Sequence, residues 1–440
     1  MVMSIIFNPV VISVILLCGL CLKKVNVLLS IIISAIVAGL VGGMSLSTIM
    51  ETFVSGMGGN SETALSYILL GTFAAAMTHT GLATILANKI STVIKGKKFL
   101  LIAIITGIAM LSQNLIPVHI AFIPILIPPL LSVMNKLKLD RRAVACALAF
   151  GLKAPYITIP AGFGLIFQGL IAENMTSNGM EVLKSDVWKS TWILGGGMFL
   201  GLLVAIFVTY RKPRVYKDLA VCETKAEKQD KEALKFNKNH YITLIGAVAT
   251  LTVQLLTKSL PLGALVGLGI VFGGGAVSHK KMDKLINEGI GLMGYVAFVM
   301  LVAAGFAVVL KSTGGIDTLV TSIMPYMQNS KLLAILLMML VGLFVTLGIG
   351  TSFGTIPILA VLFVPMCQHL GFSVPATVVI IACAAALGDA GSPASDTTLG
   401  PTSGLNADGQ HDHISDTCIP TFLHFNISLI IFAILAVYLF

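Results

Sequence analysis

Charge is scarce in this chain. Of its 440 residues only 11% are Asp, Glu, Lys or Arg, against about 25% in ordinary soluble domains. With 56% of residues hydrophobic, 28 Lys+Arg and 19 Asp+Glu cannot cover the surface of a soluble protein this long. Soluble enzymes, secreted disulfide scaffolds and disordered chains are thereby excluded. Cysteine is sparse too: the seven (positions 18, 21, 146, 222, 367, 383 and 418) outline no disulfide framework. Cys18 and Cys21 make a C-x-x-C inside an apolar stretch, with no second pair to complete a metal tetrahedron. They read as two small hydrophobes on one helix face. The opening MVMSIIFNPVV has neither a basic n-region nor a small-residue cleavage site, so the first segment is expected to be kept as a helix. No G-x-x-x-x-G-K-[ST] occurs, which argues against an ATP-driven pump.

What is present is apolar and rich in glycine, with a mean hydropathy of +0.97 and 43 glycines. That describes an all-α polytopic membrane protein, with lipid as the solvent for most of its surface. Runs near the ~20 residues that span hydrocarbon fall at 5–20, 25–43, 61–78, 98–116, 117–134, 143–168 and 190–210. After a polar interval others follow at 241–257, 261–277, 292–310, 331–349, 352–370, 374–388 and 418–440. Four amphipathic stretches, 44–58, 82–96, 279–290 and 312–330, are expected in the interface plane. Residues 211–240, rich in Lys and Glu, read as a cytoplasmic linker between a first half at 1–210 and a second at 241–440.

If each run crosses once, 22 of the 28 Lys+Arg residues fall on one side. Five (Lys184, Lys189, Lys258, Lys311 and Lys331) fall on the other, and Lys153 alone lies within the membrane. Basic loops mark the cytoplasm, so both termini of this cell (inner) membrane protein are expected outside. The net charge of +9 is then a membrane signature and calls for no nucleic acid.

The halves repeat each other. At an offset of 233, Gly42 meets Gly275, Gly56 meets Gly289, Gly58 meets Gly291, and Thr80-Gly81 meets Thr313-Gly314. Ile123-Pro124-Ile125-Leu126 meets Ile356-Pro357-Ile358-Leu359, and the helix-opening Asp140 meets Ser373. Later the offset drifts to 237, where Gly151 meets Gly388. Each half crosses an odd number of times, so the expected architecture is two inverted-topology repeats with re-entrant hairpins and interrupted transmembrane helices, the build of secondary transporters.

Polar, helix-breaking stretches within apolar runs mark the site, because irregular backbone at membrane depth survives only beside protein or a water-filled cavity. One pair is Ser112-Gln113-Asn114 through His119, and Gly348 through Thr355 with Thr351, Ser352 and Thr355; both look like hairpin tips. The other pair is Gly151-Leu152-Lys153-Ala154-Pro155-Tyr156 and the run from Gly388 to Thr398. Gly and Pro are expected to interrupt a helix in both. The second holds Asp389, Ser392, Ser395, Asp396, Thr397 and Thr398, hard oxygen donors suited to an alkali cation. The half-helix N-termini nearby suit an anion such as a substrate carboxylate. Intramembrane carboxylates are costly, so Asp389 and Asp396 are the expected sodium ligands.

Lys153 faces the same cost, roughly 2.5–3.5 kcal/mol at the bilayer centre. Its repeat counterpart region contains Asp389, so its ammonium is expected to act as a built-in counter-charge to an acidic residue or a substrate carboxylate, and could carry the proton. The rival reading has it snorkelling to the interface. His119 and His79 read as helix-contact and interfacial residues, and Glu51 and Glu62 as interfacial. His411 and His413, amid Asp408, Asp412 and Asp416, read as a solvated cytoplasmic loop, with metal binding or pH sensing as the sharper reading.

The runs GTSFGT and GDAGSPASDTT resemble the paired signatures of the NhaC-type sodium/proton antiporter family, within the ion-transporter superfamily. NPVVISVILLCGLCLKK and HDHISDTCIPTFLHFN resemble its YuiF-type branch, whose members are labelled amino-acid or histidine permeases. The resemblance implies an elevator-like homodimer, with hairpin tips and broken helices enclosing the site. Carried over by position, it marks Thr351, Ser352, Thr355, Asp389, Ser392, Ser395, Asp396, Thr397 and Thr398; Lys153 and His119 rest on physical argument alone. The expected function is a secondary active transporter of a small molecule or ion. It would need no cofactor beyond sodium or proton as coupling ion, and no enzymatic activity is expected. Sodium/proton exchange and cation-coupled amino-acid uptake both remain open. A pore is disfavoured because asymmetric, ligand-rich interruptions suit a closed site better than a selectivity ring.

Overall fold

The computed structural model describes residues 7–82, 85, 97–114, 119–161, 163–217, 236–257, 259–327 and 330–440; side chains at 63, 112–122, 124, 125, 255, 292, 296, 323, 324 and 327 lie outside that description. Helices account for the secondary structure of the described residues, and no strand occurs among them. In order they are α1 (Pro9–Leu22), α2 (Val27–Val41), α3 (Leu46–Met57), α4 (Ser61–Thr80), α5 (Lys98–Asn114) and α6 (His119–Lys136). Then come α7 (Arg141–Thr158), α8 (Phe163–Ser177), α9 (Lys184–Thr209), α10 (Lys238–Thr257), α11 (Leu260–Gly273) and α12 (Met282–Ser312). The last are α13 (Gly315–Met327), α14 (Lys331–Ile349), α15 (Ser352–His369), α16 (Val374–Ala386), α17 (Asp396–Leu405) and α18 (His413–Leu439). Each apolar run identified in the sequence falls on a helix, and 143–168 falls on two, α7 and α8, bent by 48°. Five described helices are long and apolar enough to cross a membrane, six if that bent pair counts as one span.

The element order recurs, and so do the caps. Asn26 accepts from backbone N–H groups opening α2, and Ser259, 233 positions on, does so at α11. Asp140 caps α7 and Ser373 caps α16 in the same way; such a cap is worth about 1 kcal/mol. Packing recurs too. α1 pairs with α2 as α10 does with α11, and α2 lies on α12 as α11 does on α4. α5 lies on α7 as α14 does on α16, while α8 packs on α15 and α17 on α6. Along the central α4–α12 pair, a Cβ on Gly289 would sit 2.4 Å from the Thr72 backbone nitrogen, so glycine sets that close approach.

Two expectations need correction. Residues 282–290 are no separate interfacial piece but the first turns of the 31-residue α12; their polar face resembles an interfacial helix, while their apolar face packs on α4. The expected interruption at Gly151–Tyr156 is absent, since α7 runs unbroken through Gly151, Lys153 and Pro155. Pro155 removes only one donor, and its own carbonyl still accepts from Ile159 N at 2.7 Å. The chain bends instead beyond Thr158. Of the amphipathic stretch 82–96, only 82 and 85 are described.

Candidate functional site

The interruption in the second half is real. α16 ends at Ala386, α17 starts at Asp396, and the nine residues between are buried, unwound backbone. Gly388 (φ +82°) and Gly391 (φ +104°) make its turns, and Asn426 of α18 holds it, donating from Nδ2 to the Ala390 carbonyl at 3.1 Å and accepting from Gly388 N at 3.4 Å. Asn426 closes a π-helical turn, Phe422–Asn426, a distortion frequent at functional sites. A Cβ on Gly391 would lie 2.4 Å from Phe422 Cβ. Gly391→Ala is therefore expected to lower the thermal unfolding midpoint in detergent, the left-handed backbone alone costing about 1–3 kcal/mol. Gly19→Ala, which meets nothing within 4 Å, is the control and should leave it unchanged.

This segment presents Asp389 to α7. Lys153 Nζ donates to Asp389 Oδ2 at 2.9 Å, as do the Tyr156 hydroxyl at 3.0 Å and Ser352 Oγ at 2.7 Å. Ser395 Oγ donates to Oδ1, and Thr397 Oγ1 to the Asp389 carbonyl at 2.9 Å. Lys153 is 0% exposed and Asp389 3%, so Lys153 does not snorkel. Tyr156 follows Lys153 at i+3, on the same face of α7, and its ring packs on Phe167 and Phe353 at centroid distances of 5.1 and 5.2 Å, closing the pair in apolar surroundings. The N-terminus of α17, capped by Ser395 on Thr397 N at 3.1 Å, adds positive potential beside the carboxylate.

Four of the sequence candidates thus meet at Asp389: Lys153, Ser352, Ser395 and Thr397. Others hold backbone. Thr355 donates to the Thr351 carbonyl at 2.7 Å, Ser392 Oγ accepts from Ala394 N at 3.2 Å, and Thr398 donates to the Ser392 and Ser395 carbonyls. Asp396 is half-buried at the first turn of α17, with Ser395 Oγ 3.4 Å from its Oδ1. The chain at Ser112, Gln113, Asn114 and His119 is helical, but their side chains lie outside the described residues, as do residues 115–118 entirely.

Sequence reasoning missed Tyr156 and Asn426 as site residues. The i, i+3 spacing from Lys153 marks the first, and a lone amide in an apolar run marks the second. It also read His411 and His413, amid Asp408, Asp412 and Asp416, as a solvated loop; the structure leaves Asp412 exposed but buries His411 and Asp416. Arg141, 0% exposed, grips Asp408 through two bonds of 2.6 and 2.5 Å, and Arg214 reaches Asp416 at 2.7 Å. Burial pushes the Asp408 carboxyl up, but the two bonds and charge of Arg141 outweigh this and hold it below its usual range. Paired charges can be buried where single ones cannot, and His411 is buried with them at 1% exposure. Among the described residues no group of three or more His, Cys, Asp or Glu is placed to hold a metal ion.

A multi-pass helical fold enclosing a lysine–carboxylate pair at a broken helix defines an integral membrane transporter. Residues 147–437 match the profile of the Na+/H+ antiporter family, and residues 8–94 match a second profile described as the Na+-H+ antiporter family. The chain belongs to the Na+/H+ antiporter family. It is 49% identical to an uncharacterised membrane protein of Vibrio parahaemolyticus, over 98% of this chain and 99% of the relative. It is 45% identical to a Bacillus subtilis protein named as a candidate amino acid transporter, YuiF, also over 98% and 99%. Among solved structures it is similar to the Alcanivorax borkumensis YdaH transporter, with a TM-score of 0.43 and 14% identity over 89% of this chain and 88% of that one.

Proposed function

We propose that the protein is a sodium/proton exchanger of the cell (inner) membrane, working by alternating access, with both termini outside and two inverted repeats meeting at the Asp389 site. The recurring caps and packing pairs support the duplication, and family membership supports a cation as cargo; a homodimer is part of the proposal. One observation carries the reading: a carboxylate from the second half is paired at 2.9 Å with a lysine from the first, both buried. A sodium ion entering that oxygen-rich pocket competes with the ammonium for Asp389 Oδ2. Lys153 relieves the competition by giving up its proton, which lysine does readily when desolvated and arginine does not. Cation entry and proton loss are thereby tied to the same atoms. Ser352 and Ser395 supply further oxygens once they turn their lone pairs inward.

A second reading, cation-coupled amino-acid uptake with histidine as a candidate, is favoured by the 45% identity to YuiF; there a substrate carboxylate would take the place of Asp389 on Lys153. Purified protein in liposomes separates the two. Sodium pulses are expected to change the signal of a trapped pH-sensitive dye without any amino acid present. Accumulation of labelled histidine with no such proton movement rejects the exchanger, and single-channel currents in a planar bilayer would reject both.

A further inference from the structure

We propose that the cleft between α5 and α9 binds an anionic phospholipid, with an acyl chain lying along α7 and the phosphate among Lys97, Lys98, Arg211 and Lys212. The inference goes beyond the exchange site and uses none of its residues. α5 and α9 both pack on α7, and between them lies a cavity of about 380 Å³. Met110 of α5 forms one wall, and Trp188, Trp192 and Gly195 of α9 form the other. The floor is α7, where Phe150, Ala154 and Thr158 recur every four residues on the face turned away from Lys153 and Tyr156.

The cleft is apolar and faces lipid. Trp188, Trp192, Gly195 and Phe199 follow one another at helical spacing along α9, and Phe199 reaches Phe150 with ring centroids 6.0 Å apart. Leu111, next to Met110 on α5, is exposed, as are Trp192 and Phe199 on α9. Apolar side chains left bare on a membrane-spanning chain are met by hydrocarbon, so an apolar cavity behind them takes acyl chain and not water.

Charge decides which lipid. Phe99 at the start of α5 and Phe207 near the end of α9 stack at 4.8 Å and bridge the two helices. Lys97 and Lys98 directly precede Phe99, and Arg211 and Lys212 lie four and five residues past Phe207, so two basic pairs flank the same end of the cleft. Among the described residues none of the four makes an ion pair, and Lys97, Arg211 and Lys212 are exposed. Unpaired cations at a membrane surface attract anionic headgroups. They disfavour a second copy of a chain whose own net charge is +9.

Length agrees with this placement. From Phe99 to Met110 α5 rises about 16 Å at ~1.5 Å per residue, close to the ~15 Å that one leaflet contributes to a ~30 Å hydrocarbon core. A lipid with its phosphate at the basic pairs therefore lays its chain over the Phe99 and Phe207 rings and ends it in the cavity beside Met110.

The test titrates the full-length protein in non-ionic detergent with phosphatidylglycerol or with zwitterionic phosphatidylcholine. Native mass spectrometry counts the bound lipid, and unfolding midpoints are read in parallel. Phosphatidylglycerol is expected to bind and to raise the midpoint with concentration, as a ligand of the folded state does; phosphatidylcholine should bind about tenfold more weakly. Lys98→Gln combined with Arg211→Gln should weaken phosphatidylglycerol binding about tenfold or more, with the lipid-free midpoint unchanged. Met110→Trp, which fills the cavity and keeps the charges, should remove the tightly bound copy. Lys311→Gln, outside the cleft, should change nothing. Equal binding of the two lipids, or phosphatidylglycerol binding unaltered in both cleft variants, overturns the proposal. So does a Met110→Trp protein that passes from dimer to monomer with its lipid count unchanged, for then a second copy fills the cleft.

Discussion

Lys153→Gln is expected to abolish sodium-dependent proton movement and to destabilise the protein. Removing one partner of a buried pair leaves the other as an uncompensated charge, at a cost of about 3–5 kcal/mol. Asp389 keeps Tyr156, Ser352 and Ser395 as donors, but none of these neutralises it. Lys153→Arg tests the proton role apart from the charge. Guanidinium keeps the pairing and cannot release a proton, so the variant should retain more stability than Gln while still failing to couple. Transport assays alongside unfolding midpoints in detergent read both effects. Normal transport by the Gln variant, with unaltered pH and sodium dependence, would end the counter-charge account.

The mirror experiment starts from the carboxylate. Asp389→Asn should remove cation dependence altogether, because the amide keeps the shape but not the charge that competes for sodium. Alone it strands the Lys153 ammonium in an apolar interior. Combined with Lys153→Gln it should recover much of the lost stability, since a neutral pair leaves no charge to solvate. Transport should stay silent in the double variant. Sodium dependence surviving in Asp389→Asn would move the site elsewhere, with Asp396→Asn the next variant to examine.

Much of this arrangement is legible in the residues. The apolar runs mark the helices because bilayer thickness imposes their length, and Lys153 stands out because a lone lysine in such a run needs a partner. The expected alignment of Gly151–Tyr156 with Gly388–Thr398 puts Asp389 among its candidate partners. Other features depend on neighbours that no periodicity reports. Gly and Pro show where a helix can break, not where it must: at Gly388 and Gly391 the backbone turns left-handed, while Gly151 stays helical and serves close packing, Ala109 of α5 lying 2.5 Å from where its Cβ would be. Counted as loop charge, Arg141 and Arg214 look alike and solvated; only the fold sets Asp408 and Asp416 against them. The start of α12 looks interfacial for the same reason, its apolar face being matched by α4.

The clasp between halves has a consequence for how the chain is made. Lys153 and its carboxylate are 236 residues apart in sequence, and Arg141 and Asp408 are 267 apart. At ~5–20 residues per second of synthesis, the helix carrying both cations emerges roughly ten seconds or more before either counter-ion exists. During that interval the nascent first half carries two positive charges it cannot settle. Such a half is a poor candidate for life as a separate polypeptide, and the newborn chain has reason to linger at the insertion machinery until its C-terminal portion arrives.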